Sequence, residues 1–243
     1  MTPSPSANTH RLLLSLGLPA QAQLILEAGH WKGILQEQLL SQVHRGLGYG
    51  DGAPVGGLHL SRMASVMLDG AELGEGLLVF IYLDFDSAQA VSQAQLGSLQ
   101  ILLKDYFSLN LQSQWAATGH PLPLQLTVNL SRLELKLDLK GHAWGQEPRV
   151  HYVVQTDVEE GWMSEIETWY DLEHMPGLAS VPGCMSAQRL INHDAGPRSF
   201  ACYDLESAQV LTSGPWMAVR GTDWSSRARP HFVNPQRKVM DRL

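Results

Sequence analysis

The sequence predicts an α+β protein made of two tandem ferredoxin-like (βαββαβ) units, packed sheet to sheet as a pseudo-dimeric α+β barrel. Three observations lead to this prediction. The last third of the chain reads as strand, helix, strand, strand, helix, strand, which is the ferredoxin-like order. The same order fits residues 20–141, and within it residues 122–141 alternate leucines with polar residues as a strand does. The chain of 243 residues is long enough for two domains of ordinary size.

The predicted domains are a flexible N-terminal tail over residues 1–19, a degenerate ferredoxin-like domain over 20–147 and a second ferredoxin-like domain over 148–243. The tail is predicted because the first ten residues are rich in Ser, Thr, Pro and Asn. The two domains share no detectable sequence identity. Their relationship is therefore one of predicted topology.

In the first domain, the least certain element is residues 20–29, which we interpret as a strand although a helix fits equally well. The leucines of residues 122–141 change parity near Asn129–Arg132, which requires a bulge or a tight turn. The other predicted elements are a helix over 30–46, a glycine-rich loop over 46–57, two apolar strands on either side of DGAELGE, and a long helix within 87–118.

In the second domain, the helix over residues 159–174 is the strongest element, because its apolar residues recur at helical spacing. Met175–Pro176–Gly177 is expected to end it, since proline disfavours helix in the preceding residue. The remaining predicted elements are a strand over 148–158, strands over 183–192 and 198–205 joined by the turn HDAGP, a helix over 207–220 kinked at Gly214–Pro215, and a final strand after Arg229.

A four-stranded sheet covered by helices on one face leaves its other face bare. Two such sheets stacked by their bare faces would enclose a cavity. The alternating leucines of residues 122–141 and the faces of residues 183–205 would line it. A cavity of this kind suits a small hydrophobic or aromatic ligand.

Composition excludes several classes of function. The net charge of −7 argues against nucleic acid binding, and no stretch approaches the roughly 20 apolar residues of a membrane span. The N-terminus lacks the pattern of a secretory signal, and the two cysteines are out of register for a disulfide, so we expect a cytoplasmic protein. No histidine or cysteine pair has metal-site spacing. We therefore predict no metal and no membrane partner, and a homodimer stays open.

Residues 149–243 carry a set of motifs that resembles the EthD-like branch of the dimeric α+β barrel superfamily. The motifs are Asp157, Trp169-Tyr170, Glu173-His174, Pro176, Val181-Pro182-Gly183, Arg189, the run Tyr203–Ser207 and Pro215-Trp216. The resemblance implies a ferredoxin-like fold, usually paired into a barrel. It also implies the activities of that superfamily, which include cofactor-free dehydratases, cyclases and isomerases of aromatic or polyketide compounds, and haem-binding enzymes. Residues 1–148 carry no such motif.

His174 is the candidate catalytic residue, because an imidazole titrates near working pH and can act as a general acid or base. A histidine in the last turn of a helix also caps free carbonyls and favours the helix dipole. Spacing alone favours this structural interpretation, and the resemblance brings the two interpretations near parity. Tyr170 lies one turn before His174 and could present its hydroxyl to the same point.

The other candidate residues are predicted from their strand and helix faces. Tyr203 and Asp204 point to opposite faces, and we favour Tyr203 as a second catalytic hydroxyl. Arg189 is either an inward clamp for an anion or an edge-strand charge. Trp169 is most simply a core aromatic residue. The predicted substrate contacts are Arg189, Trp169, Trp216 and Tyr152, with His151 as the alternative to Tyr152.

A basic cluster near the C-terminus contains Arg227, Arg229, Arg237 and Lys238. It could meet a second copy of the chain or a carboxylated substrate, although a solvated strand is the simpler interpretation.

The function predicted from these residues is cofactor-independent acid/base catalysis on a small aromatic or polyketide-like compound: dehydration, cyclisation or isomerisation. His174 would move the proton, Tyr170 or Tyr203 would stabilise an oxyanion, and Arg189 would hold an acidic substituent. Two alternatives stay open. One is a non-catalytic ligand-binding or assembly protein, and the other is a haem enzyme of the same superfamily, since one axial histidine leaves almost no trace in a sequence.

Overall fold

A computed structural model describes residues 10–22, 38–47, 59–68, 76–85, 91–117, 119 and 125–243 of the chain. The chain divides into two compact units, one over His10–Arg132 and one over Leu133–Leu243. We call them the first and second unit. The boundary falls inside a long strand and not at the predicted 147/148, and it coincides with the change of leucine parity noted above.

The described residues of the first unit include three strands paired in antiparallel order β1–β3–β2: β1 is His10–Pro19, β2 is His59–Leu68 and β3 is Gly76–Phe85. Its helices are α1, Leu40–Gly46, and α2, Gln93–Ala117. Ser92 caps α2, since its hydroxyl accepts the backbone N–H of Gln95 and the Gln95 side chain accepts the N–H of Ser92. The start of strand β4, Thr127–Lys140, completes this unit.

The predicted N-terminal tail is wrong over residues 10–19, which form β1. The signal for a strand was present, because Leu12, Leu14, Leu16 and Leu18 alternate and all four are buried. The strand predicted over residues 20–29 is instead a single 3-10 turn at Ala20–Ala22 as far as the described residues reach. The rest of that prediction, and the first part of the helix predicted over residues 30–46, lie outside the described residues.

The second unit has the predicted ferredoxin-like order. Its sheet runs β8–β5–β7–β6, and the end of β4 pairs with β6. The strands are β5, Val150–Val158; β6, Cys184–Asn192; β7, Ser199–Leu205; and β8, Phe232–Arg242. The helices are α3, Met163–Trp169; a π turn, Tyr170–His174; α4, Met175–Ala179; a 3-10 turn, Ala208–Thr212; α5, Gly214–Arg220; α6, Asp223–Ala228; and a 3-10 turn, Arg229–His231.

The helix expected to end at Met175–Pro176–Gly177 continues through this segment to Ala179. Pro176 is tolerated because it lies in the first turn of α4, immediately after the π turn, where a proline needs no backbone N–H. Gly177 is required there for a different reason. A Cβ at this position would lie 2.8 Å from a methyl group of Val219, so the absent side chain allows α4 and α5 to pack closely.

The helices of the second unit cover one face of its sheet. The core on that face combines aromatic and aliphatic side chains from all its layers, among them Tyr152, Val154, Trp169, Leu178, Tyr203, Leu205 and Trp216. The opposite face carries polar residues: His151 Nδ1 lies 2.9 Å from Asp204 Oδ1, and the Ser186 hydroxyl donates to Asp204. Both cysteines are buried and neither forms a disulfide, with Cys184 opposite Leu205 and Cys202 opposite Gln188. The predicted absence of a disulfide between them is confirmed.

Candidate functional site

The helix over residues 163–179 changes its winding where the candidate residues lie. At Tyr170–His174 the chain makes a π turn, in which the N–H of Met175 donates to the carbonyl of Tyr170, five residues back. Such wide turns bring residues five apart onto nearly the same side of the helix, and they occur frequently at functional sites. Here the turn stacks the imidazole of His174 on the indole of Trp169, with ring centroids 4.1 Å apart.

A small cavity lies between this helix and the helix-covered face of the sheet. Its free space is about 30 Å³, which is room for one or two water molecules. Arg237 is exposed, so the cavity reaches the surface beside it. The lining residues all belong to the second unit: Tyr152, Val154, Trp169, Tyr170, His174, Leu178, Tyr203, Trp216, Arg220, Arg229, Phe232 and Arg237.

The sequence predicted a cavity between the bare faces of two sheets, whereas the cavity that His174 lines lies on the helix-covered face. A side chain on a covering helix reaches only the face that the helix covers. His174 therefore shares its cavity with Tyr152 and Tyr203, which point toward the helices. His151 and Asp204 lie on the other face and take no part in this cavity.

His174 is buried, with 7% of its surface exposed, and its Nδ1 has no hydrogen-bond partner among the described residues. Burial lowers the pKa of His174 from 6.5 to about 3, and the positive charges of Arg229 and Arg220 add to the effect. The ring is therefore neutral at ordinary pH. A neutral imidazole can accept a proton or donate one hydrogen bond. It has no positive charge with which to attract an anion.

Trp169 and Tyr170 bring further polar atoms to the cavity. The Nε1 of Trp169 is buried and lacks a partner, so the site contains two orphaned nitrogens on stacked rings. The Tyr170 hydroxyl forms no hydrogen bond within residues 125–243 or the other described segments. Burial raises the pKa of Tyr170, so its hydroxyl stays protonated and can donate.

Tyr152, Tyr203 and Trp216 form an aromatic cluster on the sheet side of the cavity. The two tyrosine rings stack with centroids 5.9 Å apart, and both meet Trp216 edge to face. The Tyr203 hydroxyl donates to the sulfur of Met175 at 3.0 Å. Tyr203 thus lines the cavity while its hydroxyl is already engaged, which favours Tyr170 over Tyr203 as a donor to a ligand.

Arg189 is not among the residues that line the cavity. Its Nε lies 3.0 Å from Asp171 and its Nη1 lies 3.2 Å from Glu167, two carboxylates one helical turn apart. Arg189 is buried and these two acids neutralise its charge. The prediction of Arg189 as an inward anion clamp is therefore corrected. Its guanidinium group is already paired with Glu167 and Asp171 of the facing helix.

Three other arginines provide positive charge at the cavity. Arg220 is at the end of α5, Arg229 is in the 3-10 turn after α6, and Arg237 is on β8. Arg229 donates to the backbone carbonyls of Ser225 and Arg220. The positive charge of Arg237 lies close enough to Tyr152 to lower the pKa of its hydroxyl, against the larger upward effect of burial. The sequence marked Arg229 and Arg237 only as part of a basic tail, and it gave no signal for Arg220.

The described residues contain no group of three or more His, Cys, Asp or Glu placed to hold a metal ion. None of the helices formed by these residues is both long enough and apolar enough to cross a membrane.

Comparison with known proteins supports the fold and leaves the reaction open. No protein-family model matches the chain, and no curated protein matches it. Among solved structures, a candidate monooxygenase from Fusobacterium nucleatum is similar over 97% of this chain and 93% of its own, with a TM-score of 0.53 and 8% identity.

A cyanide complex of a chlorite dismutase mutant from Candidatus Nitrospira defluvii is similar over 99% of this chain and 92% of its own, with a TM-score of 0.51 and 10% identity. At such identities the likeness shows the fold alone. The comparisons confirm the predicted fold class, an α+β protein with two ferredoxin-like units in one chain.

Proposed function

We propose that the second unit is a cofactor-independent acid/base enzyme, and that its cavity binds a small aromatic or polyketide-like compound. The proposal rests on one aromatic cavity that is lined by Tyr170 and by two residues with orphaned ring nitrogens, His174 (Nδ1) and Trp169 (Nε1). Buried polar atoms are normally satisfied, so several unsatisfied ones at a single cavity point to a ligand. The EthD-like resemblance of residues 149–243 supports the same class of chemistry.

The chemistry that fits this geometry is proton transfer at carbon next to a carbonyl. Neutral His174 takes the C–H proton, and the electron pair of that bond moves to the carbonyl oxygen to give an enolate. Trp169 Nε1–H and the Tyr170 hydroxyl donate to the enolate oxygen. Return of the proton from His174 to carbon at another position completes an isomerisation. In a dehydration the electron pair of the enolate forms the C=C bond, the β-C–O bond breaks, and the protonated His174 gives its proton to the leaving hydroxyl, which departs as water.

A ligand ring is larger than the free space of about 30 Å³. Entry of a ring therefore requires the side chains at the mouth to move outward. Arg237 is exposed and Phe232 is half-buried, so these two can move with the smallest loss of packing.

A non-catalytic binding protein is the second candidate, and one observation favours it. With a pKa of about 3, His174 is a weak base in the ligand-free protein. Such a protein would bind the ligand through the same atoms and leave its C–H bonds intact.

A haem enzyme is the third candidate, and the residues at the cavity do not fit that group. The imidazole of His174 is stacked on Trp169, and about 30 Å³ of free space lies before it. A porphyrin would have to displace the Tyr152, Tyr203 and Trp216 cluster. We derive no step through haem, and a Soret band in the purified protein would overturn this part of the argument.

The proposal is tested by deuterium exchange at the methyl group of small aromatic ketones in D2O, followed by NMR. The probes are 4-acetylbenzoate, its neutral isostere 4-acetylbenzamide and acetophenone. We expect the protein to accelerate exchange of at least one probe and His174→Gln to reduce that acceleration by about 100-fold or more. The matched control, His142→Gln, removes an exposed imidazole outside the cavity. Exchange at the buffer rate for all three probes, or full activity of His174→Gln, would refute acid/base catalysis.

A further inference from the structure

We propose that the ligand carries an anionic substituent, a carboxylate or a phosphate, and that Arg220, Arg229 and Arg237 form its binding site at the cavity mouth. This inference rests on the proposed function in one respect only, namely that both describe the same cavity. It names the substrate class, which acid/base chemistry alone does not specify.

The charge of the cavity is opposite to the charge of the protein. The chain as a whole has a net charge of −7, yet the cavity lining contains three arginines and neither Asp nor Glu. None of these three arginines forms an ion pair within the part of the chain that the structure describes. Two other arginines of the second unit are neutralised: Arg189 by two acids and Arg227 by Glu165. The three cavity arginines differ from these two in lacking an anion.

Arg229 is held in a fixed orientation with donors to spare. Its Nε donates to Ser225 O at 3.1 Å and its Nη2 donates to Arg220 O at 2.7 Å. A guanidinium group has five N–H donors in a planar fork, so three remain for a ligand. Carboxylates and phosphates are the groups that such a fork binds with two parallel hydrogen bonds.

The three arginines also repel one another. Burial lowers the pKa of Arg229, and the charges of Arg220 and Arg237 lower it further. Holding like charges together without a counterion costs free energy, and a bound anion would remove that cost. Arg237 and Tyr152 line the same cavity, so the charged mouth adjoins the aromatic wall.

The orphaned atoms provide an independent observation at the same cavity. Trp169 is fully buried and His174 is more than nine-tenths buried, and each presents a ring nitrogen without a partner. The anion site and these nitrogens are separate parts of one lining. A ligand that satisfies both has an acidic group at one end and a second oxygen, as a carbonyl or hydroxyl, on its ring. The inferred class is thus aromatic keto or hydroxy acids, or the corresponding phosphates.

The test is isothermal titration calorimetry of the full-length protein with 4-acetylbenzoate, 4-acetylbenzamide and phenyl phosphate. We expect the benzoate to bind about 10-fold or more tightly than the benzamide, with an affinity that falls as salt rises. Tighter binding of phenyl phosphate than of the benzoate would assign the site to phosphate compounds, and the reverse would assign it to carboxylates. Equal affinities for the benzoate and its amide would overturn the inference.

The variants are Arg229→Gln and Arg237→Gln, with Arg227→Gln as the matched control because Arg227 is exposed and pairs with Glu165 away from the cavity lining. We expect a loss of benzoate affinity of about 10- to 100-fold for Arg229→Gln and about 5-fold for Arg237→Gln. The control should bind as the wild type does. Since Arg229 also holds backbone carbonyls, Arg237→Gln keeps the test decisive if Arg229→Gln fails to fold. Wild-type affinity of Arg237→Gln at low salt would contradict the assignment.

The two proposals fail separately. Tight benzoate binding without deuterium exchange refutes acid/base catalysis and keeps the anion site. Exchange of acetophenone or the benzamide at the rate of the benzoate refutes the anion site and keeps the catalysis.

Discussion

The burial of His174 has a consequence for stability that is independent of any ligand. Its pKa is about 3 in the folded protein against 6.5 when exposed. Because the folded pKa is the lower one, the unfolded chain binds the proton first as pH falls. Stability is therefore fully present above pH 6.5, and it is lost progressively as pH falls from there toward 3.

The size of the effect follows from the pKa values. A pH of 5 lies 1.5 units below the pKa of 6.5, so the imidazole is protonated in the unfolded chain. In the folded protein it is still neutral at this pH, because its pKa is about 3. At about 1.36 kcal/mol per unit, the folded protein loses roughly 2 kcal/mol relative to neutral pH. His174 is only 7% exposed, so solvent screening reduces this figure little.

The assay is urea unfolding of the wild type and of His174→Gln at pH 7 and pH 5. Between pH 7 and pH 5 the wild type should lose about 2 kcal/mol more of its free energy of unfolding than the variant does, because glutamine does not titrate. Other groups titrate equally in both proteins and cancel in the comparison. The exposed His142→Gln variant should follow the wild type. An NMR titration of the His174 ring gives the direct measurement, and a midpoint near pH 6.5 in the folded protein would refute the reasoning.

Four further predictions concern single residues and one binding event. Arg189→Met should cost about 1–2 kcal/mol of stability and leave benzoate affinity unchanged, as calorimetry can show, because its partners are half-exposed acids outside the cavity. Gly183→Ala should lower thermal stability by about 1–2 kcal/mol, since Gly183 has φ +85° and an added methyl would lie 2.7 Å from a side-chain carbon. Tyr203→Phe should cost about 1 kcal/mol at most and keep deuterium exchange within a few-fold of wild type, because its hydroxyl is bonded to Met175; a 100-fold loss of exchange would restore its predicted catalytic role. Benzoate binding at pH 5.5 should take up a fraction of a proton, because a bound carboxylate offsets the arginines that help lower the pKa of His174; calorimetry in two buffers of different ionisation enthalpy measures the uptake.

The topology of the second unit could be predicted from sequence because each element has a local signature. Strands β5, β6 and β7 lie within two residues of the predicted limits at each end, and the kink at Gly214–Pro215 coincides with the start of α5. The N-terminal strand was missed for a different reason. The Ser-, Thr-, Pro- and Asn-rich composition of residues 1–10 was extended to the whole segment 1–19. The alternating leucines that follow are the stronger physical signal, and they predict a strand.

The candidate site could be predicted only in part. His174, Tyr170, Trp169, Tyr152, Tyr203 and Trp216 do meet at one cavity, as their spacing and the family resemblance suggested. The arginines could not be assigned in the same way. Arg189 shares a strand face with apolar residues, and only the fold shows that Asp171 and Glu167 face it. Arg220 lies at the end of a helix, and no sequence pattern marks it as a cavity residue. Its place in the cavity depends on α5, the 3-10 turn after α6 and β8 meeting in the fold.

The π turn connects these observations. The wide turn at Tyr170–His174 stacks the rings of Trp169 and His174, and both residues line the cavity. The same cavity contains the arginines that help keep the imidazole neutral when no anion is bound. Burial is the largest cause of the low pKa of His174, and an anion bound at the proposed site would remove only the smaller contribution of the arginines. We therefore expect occupancy of the mouth to raise the basicity of the ring, through groups that all belong to the second unit.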